Sequence, residues 1–322
     1  LPDDGGGGPH PKRARRFVLS LPMRRALITG IRGFTGRYLA DELASAGYSV
    51  YGIAHHGELA GDGVHVADLC DFAGLRAAVE ELQPEVVAHL AAISFVPHRD
   101  VEAIYRVNVS GTRNLLEALA GLSTPPRAVL LASSANVYGN ASVEVIDETV
   151  SPAPANDYAV SKLAMEYLAR LWMDRLPIVI TRPFNYSGVG QSASFLLPKI
   201  VSHFRERAPV IELGNIDVAR DFSDVRVVAW VYRRLLELAP AGEVCNVCSG
   251  TAHAIDEILR MMASISGHRI EVRVSPELVR VNEVRRLLGS PAKLGRLVGP
   301  LRAIPLLETL RWMYDAPSGR DA

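Results

Sequence analysis

The sequence predicts an α/β fold: a doubly wound parallel sheet, a Rossmann fold, with a small C-terminal substrate domain interleaved with it. Three observations predict this. From Arg25 onward, short apolar runs alternate with amphipathic stretches of helical period, the pattern of a parallel sheet covered on both faces. The first apolar run ends in a glycine-rich turn that opens into a helical stretch. The 322 residues, 48% of them hydrophobic, are enough for one large core with a smaller one beside it.

The elements follow in order. Residues 26–29 read as a buried strand ending at Gly30, and 38–46 as a helix stopped by Gly47. Strands are expected at 49–53 and 64–67, then a helix at 71–82. Further strands at 86–90, 128–132 and 178–181 are separated by long helices at 101–120 and 158–175. Right-handed crossovers turn this alternation into a doubly wound sheet. Beyond Arg182 the pattern loosens: helices at 195–205 and 225–238, a short strand at 244–247 that would rejoin the sheet, then helices and one strand, 270–274. The expected organisation is a dinucleotide-binding domain over 23–185, with 224–250 rejoining it, and a substrate domain from 186–223 and 251–322. Residues 1–22, with glycines at 5–8 and a basic run at 12–16, read as a disordered leader, an upstream extension or a cloning remnant. A solvated tail is favoured there over a nucleic-acid arm.

Charge narrows the function classes. Lys plus Arg and Asp plus Glu are 35 each, a formal balance with no general pull toward nucleic acid or a membrane. No apolar run is long enough to span a bilayer. The cysteines are Cys70, Cys245 and Cys248. So few, with no secretory signal, fit a reducing compartment such as the cytoplasm. Cys245 and Cys248 form a C-x-x-C within a strand pattern, where residues three apart point to opposite faces. With no second ligand pair evident, no metal is expected.

In the turn after the first strand, Gly30 permits the tight bend, Gly33 lets backbone approach a pyrophosphate, and Gly36 lets helix and strand pack closely. The helix N-terminus then offers N–H donors to phosphate. The second strand runs into Ala54-His55-His56 with no acidic residue to hold a ribose 2′-hydroxyl. Arg32 lies inside the loop, either as a solvated side chain or as the partner of a 2′-phosphate. NADPH is therefore favoured over NADH. Asp68, followed by Leu69, either holds the adenine edge or caps the next helix.

Tyr158 and Lys162 stand one helical turn apart on one face. A phenol of ordinary pKa is a poor acid–base catalyst at neutral pH, and a neighbouring cation together with the cofactor's charge is expected to lower it toward the working range. Ser134 follows the fifth strand at its C-terminal end, where doubly wound folds place ligand chemistry, and can orient a reacting oxygen. Its neighbour Ser133 reads as a turn serine.

Taken together, the Gly30 loop, His89 to Ala92, Asn108 to Thr112, Ser134 to Gly139, Tyr158 to Lys162 and Arg182 to Asn185 resemble the extended short-chain dehydrogenases/reductases, the epimerase/dehydratase type, from about Arg25 to about Lys293. The resemblance implies a Ser134/Tyr158/Lys162 catalytic triad. It implies a cofactor site that includes Phe34, Ala91, Ala92 and Pro183 besides the glycines, and substrate contacts from Ser94, Asn136 and Asn185. Toward the C-terminus, Arg220 matches an arginine that grips the substrate diphosphate. The stretch from Arg280 to Lys293 resembles the branch of GDP-mannose 4,6-dehydratases and GDP-4-keto-6-deoxymannose reductases, in which Arg280 and Glu283 would contact GDP. Their alternative is a surface ion pair. Dehydratases of that branch carry a glutamate two residues after the catalytic serine, and the related epimerase-reductase carries a cysteine. Asn136 stands here instead and has no acid–base capacity near neutral pH.

The expected activity is reduction of the C4 ketone of a GDP-4-keto-6-deoxyhexose: hydride from NADPH, proton from Tyr158, Ser134 orienting the oxygen, Lys162 tuning Tyr158. A 4-epimerase would use the same triad with tightly held NAD, and a cofactor-sensing protein without turnover would not need the Tyr/Lys pair. The long helices at 101–120 and 158–175 carry apolar residues on more than one face. Either they pack hard onto the sheet or they pair with a second copy, and the family resemblance implies a homodimer.

Overall fold

The computed structural model describes residues 24–54, 63–94, 100–279 and 285–317. Strands β1 (Arg24–Thr29), β2 (Tyr48–Ala54), β3 (Val64–Val66), β4 (Val86–His89), β5 (Ala128–Ala132), β6 (Ile178–Pro183) and β10 (Val244–Val247) form a seven-stranded parallel sheet in the order β10-β6-β5-β4-β1-β2-β3. Chain order reverses between β1 and β4, which creates a crevice at their C-terminal ends.

Both faces are covered, which is why these strands are near-continuous apolar runs. On one face lie α2 (Phe72–Leu82), α4 (Thr112–Ala120) and α5 (Asp157–Arg170), burying Leu75, Leu115, Leu119 and Met165. On the other lie α1 (Phe34–Ser45), α7 (Val225–Leu238) and α9 (Ala292–Val298), burying Leu39, Leu43, Tyr232, Leu235 and Leu294. Cys245 packs in this second core and Cys248 in a separate small cluster with Tyr138 and Phe184. Burial pushes the Cys245 thiol up to about 12, so it acts as a small apolar group.

The remaining elements gather around a third core. They include β8 (Val210–Leu213), β9 (Ala219–Asp224), α6 (Leu196–Arg205), β11 (Ala252–Ala254), α8 (Ile255–Ser266), β12 (Glu271–Val274) and α10 (Leu306–Asp315), with Phe204, Phe222, Ile258 and Leu310 at the centre. Strand β9 pairs with β11, with β13 (Arg286–Leu287) and with β7 (Asn185–Ser187), while β12 pairs with β8.

The largest departures from the expected helix boundaries are these. Helix α1 begins at Phe34, inside the glycine loop, because Gly33 is extended and supplies the cap position. The stretch 101–120 is α3 (Val101–Tyr105), a π-helical turn (Arg106–Gly111) and α4. Helix α5 stops at Arg170, five residues before the expected end. Among the described residues no helix is long and apolar enough to cross a membrane.

Candidate active site

A cleft of about 1190 Å³ lies along the C-terminal ends of β1 to β6. Its first wall is the glycine loop. Gly30 has φ +71°, and a Cβ there would stand 2.9 Å from the Ala91 backbone. A Cβ on Gly36 would stand 2.3 Å from the Gly30 carbonyl oxygen and 2.7 Å from Ile31 Cα. Helix α1 carries no side-chain cap and no acidic residue in its first turn. Its positive end meets the cleft through Gly33, Phe34 and Thr35. An all-backbone cradle at a helix N-terminus fits a pyrophosphate. Arg32 is exposed on the same loop and does not line the cleft.

Asp68 and Leu69 line the outer end beside Ile53 and Ala54. The Asp68 carboxylate accepts the Cys70 N–H at 2.8 Å. The cap of α2 is Asp71, which accepts from Gly74 at 3.3 Å, so Asp68 is not the helix cap. Ala91, Ala92 and Ser94 line the middle, with Ser94 exposed.

Ser134, Tyr158, Lys162 and Pro183 come together in this cleft. Asn156 caps α5 by accepting the Ala159 N–H at 2.9 Å, which puts Tyr158 in the first turn and Lys162 one turn on. The Lys162 ammonium donates to the Ala132 carbonyl at 2.8 Å, at the end of β5. Ser134 hydrogen-bonds the Tyr158 hydroxyl and accepts the Asn136 N–H at 3.2 Å. Burial pushes the Tyr158 phenol up to about 12, against the pull of the Ser134 hydrogen bond. In the protein alone desolvation outweighs that hydrogen bond, and Lys162 is engaged by a carbonyl. Burial also pushes Lys162 down to about 8, while Glu166 pulls it upward.

On the far side stand Asn136, exposed, with Asn185 and Arg220. The Asn185 amide donates to the Asp221 carbonyl at 3.3 Å, and Arg220 donates to the Ala219 carbonyl at 2.9 Å. Arg280 and Glu283 lie outside the described residues.

Residues 26–248 match the family model described as NAD dependent epimerase/dehydratase family. A GDP-6-deoxy-D-mannose reductase of Pseudomonas aeruginosa is 35% identical over 301 residues, covering 89% of this chain and 95% of its own. A GDP-6-deoxy-D-talose 4-dehydrogenase of Aggregatibacter actinomycetemcomitans is 32% identical over 278 residues, covering 85% and 91%. The chain belongs to the NAD dependent epimerase/dehydratase family. It is an NAD(P)-dependent oxidoreductase by that membership. Its fold matches a crystal structure from Burkholderia cenocepacia J2315 (TM-score 0.87, 55% identity, 91% of this chain and 98% of that one). It also matches the structure of RMD from Pseudomonas aeruginosa complexed with NADPH (TM-score 0.79, 34% identity, 91% and 96%).

Several residues of this family member's site have no role in the sequence-based account. Tyr186 stacks on Phe34 (centroids 6.1 Å apart) and its hydroxyl meets Thr35 Oγ1 at 2.8 Å, flanking the glycine loop. A buried chain then runs from that loop to α5. Thr112 donates to the Asn108 carbonyl at 2.7 Å, so it accepts from His89 Nε2 at 2.8 Å, and His89 Nδ1 accepts from Thr29 Oγ1 at 2.7 Å. Asn108, within the π-helical turn, exchanges hydrogen bonds with the Ile93 backbone and donates to Ser161 at 3.0 Å. π-Helical turns recur at functional sites.

Burial, with Lys162 acting the same way, holds the His89 pKa at about 3 against 6.5 for the free side chain. The folded state thus binds fewer protons than the unfolded chain below pH 6.5, and stability falls as pH drops from 6.5 toward 3. His89→Gln is expected to remove a contribution on the order of a few kcal/mol to that fall. Urea titrations of both proteins across this range check it, and equal acid slopes would refute the neutral-imidazole assignment.

Proposed function

We propose that this enzyme reduces the C4 ketone of a GDP-linked 4-keto-6-deoxyhexose to the alcohol, with NADPH as donor. The observation that carries the proposal is the Ser134/Tyr158/Lys162 group in the cleft at the C-terminal end of β5, with the Tyr158 phenol hydrogen-bonded to Ser134. When bound, the cofactor supplies hydride to C4. Tyr158 gives its proton to the ketone oxygen, and Ser134 donates a hydrogen bond to the same oxygen. Lys162, charged below about pH 8, would stabilise the tyrosinate left behind and would hold the nicotinamide ribose of a bound cofactor. Gly30, Gly33, Phe34 and Gly36 would hold the pyrophosphate, Asp68 and Leu69 the adenine end, and Ala91, Ala92 and Pro183 would form the walls between them.

The named activities of the Pseudomonas and Aggregatibacter relatives support a GDP-linked 6-deoxyhexose, and the NADPH-bound neighbour supports the cofactor. Arg220 would pair with the diphosphate, Asn185, Asn136 and Ser94 would contact the sugar, and Arg280 with Glu283 would read the base. Arg32 would face the 2′-phosphate, and NAD(H) would serve less well. Elimination is disfavoured because it needs a base beside the sugar. Among the described lining residues the carboxylate is Asp68, after β3. That is four strand spacings, about 19 Å, from β5.

Incubation with NADPH and GDP-4-keto-6-deoxymannose is expected to consume NADPH and yield a GDP-6-deoxyhexose. The rate should fall as pH rises through about 8, where Lys162 loses its charge. Absence of turnover would overturn the proposal, and stoichiometric NAD⁺ released on denaturation would redirect it to an epimerase. We also propose a homodimer, supported by Val160 and Tyr167 exposed along α5 (38% and 55%), Leu171 just past its end (77%) and Val101 on α3. Sedimentation equilibrium checks it, and a monomer at micromolar concentration rejects it.

A further inference from the structure

Beneath Lys162 lies a buried carboxylate that the proposed reaction does not use. Glu166 is one helical turn beyond Lys162 on the same face of α5 and is 1% exposed. Its Oε1 accepts from Ser133 Oγ at 2.6 Å and from Arg182 Nε at 2.9 Å, and its Oε2 accepts from Arg182 Nη2 at 2.6 Å. Arg182, also buried, donates through Nη1 to the Tyr138 hydroxyl at 3.0 Å, which donates to Asn246 Oδ1 at 2.7 Å. Ser133 adjoins Ser134, Arg182 adjoins Pro183, and Glu166 shares its helix with Tyr158 and Lys162. Three segments that carry the site therefore converge on one carboxylate.

We infer that Glu166 is a positioning residue: it clamps the ends of β5 and β6 to α5, and it is the counter-charge facing Lys162 from below the cleft. The consequence for turnover rests on the ketone-reduction proposal, whereas the clamp and the counter-charge do not. A buried ion pair is no more stabilising than well-packed apolar side chains of similar volume, so stability alone does not call for a carboxylate here. The titratable and charged groups around Lys162 are few. Tyr158 and Glu166 are on its own helix, neutral His89 acts on it from β4, and behind Glu166 stands Arg182 of β6 with its partner Tyr138. From α3, Tyr105 engages Asp157 at the start of α5, and on α4 Arg113 pairs with Glu117 in solvent. Glu166 is the anion in this set whose field acts on the ammonium.

The lysines are Lys12, Lys162, Lys199 and Lys293, so protein labelled with ¹³C at the lysine ε-carbon gives a simple spectrum. Lys162 is assigned by its loss in Lys162→Met. Titrated without substrate or nucleotide, Glu166→Gln is expected to lower the Lys162 midpoint by about one pH unit or more, and Glu166→Asp, which keeps the charge, to restore most of it. In turnover assays the alkaline limb of Glu166→Gln should move with that midpoint, and kcat should fall about tenfold or more as the clamp is lost. If Glu166→Gln fails to fold because it strands the Arg182 cation, Glu166→Leu/Arg182→Met removes both charges together; the carboxylate is the charge that acts on Lys162, so the midpoint should still fall, by less than in Glu166→Gln because the lost cation offsets part of the shift. An unmoved Lys162 midpoint in the variant that folds overturns the inference even if turnover drops. A shifted midpoint in a protein that reduces no keto sugar supports the clamp and rejects only the assigned reaction.

Discussion

Tyr158→Phe is expected to lower kcat for ketone reduction by about 10²- to 10⁴-fold while leaving NADPH affinity within about threefold. The side chain is 8% exposed, so Phe fills the same space and removes one oxygen and its hydrogen bond to Ser134. No packing is lost at the cap of α5, and the glycine cradle is untouched. The effect therefore belongs to proton transfer. Burial gives this prediction a direction as well as a size. A phenol held at about 12 stays in the protonated form that reduction requires at neutral pH, as a weaker acid than a free phenol, and is rarely in the basic form that oxidation requires. Reduction should thus outrun oxidation of the product alcohol at pH 7, and the reverse reaction should gain with alkalinity until Lys162 discharges. Steady-state rates in both directions, with NADPH binding measured by fluorescence, check it. A Tyr158→Phe variant turning over like its parent would remove Tyr158 from the chemistry.

How much of this was legible in the sequence depended on what each residue's job demands of its type. Strands β1, β4, β5 and β6 are buried on both faces and so announce themselves as apolar runs. Strand β9 does not. Its sequence, Ala-Arg-Asp-Phe-Ser-Asp, buries Arg220, Asp221, Ser223 and Asp224. It is a strand because distant groups satisfy those polar atoms: Asp221 accepts from Ser249, Gly250 and Gly289, and Asp224 from Thr309. No local period reports partners that lie tens of residues away. The same reasoning separates the site's two layers. Gly30, Ser134, Tyr158 and Lys162, which the structure brings to one cleft, stood out because each belongs to a motif of the family resemblance. The roles of His89, Thr112, Glu166 and Arg182 were not readable, since a buried polar side chain is intelligible only with its partner. One signal was available: Glu166 continues the face of Tyr158 and Lys162 by another turn, and a carboxylate on an inward face implies a buried partner.

Two neighbouring glycines should separate folding from cofactor binding. Gly36→Ala is expected to destabilise the ligand-free protein by about 1–3 kcal/mol, because its Cβ would lie 2.3 Å from the Gly30 oxygen and 2.7 Å from Ile31 Cα. Both are backbone atoms of the turn, so relief requires moving α1 off β1. Gly33→Ala meets little of this. Its φ is −66°, an ordinary value for an L-residue, and the nearest atom to its Cβ is the Gly30 oxygen at 3.1 Å. Its cost in the ligand-free state should stay near about 0.5 kcal/mol. Yet Gly33 is the cap of α1 and lines the cleft, so a methyl group there projects where a pyrophosphate must touch backbone. NADPH affinity should therefore fall about tenfold or more in Gly33→Ala, with its ligand-free melting curve close to the parent's. Thermal melts with and without NADPH measure both quantities. If Gly33→Ala gains as much stability from NADPH as the parent does, the phosphates do not lie on this loop, and the orientation of the nicotinamide toward Tyr158 loses its anchor.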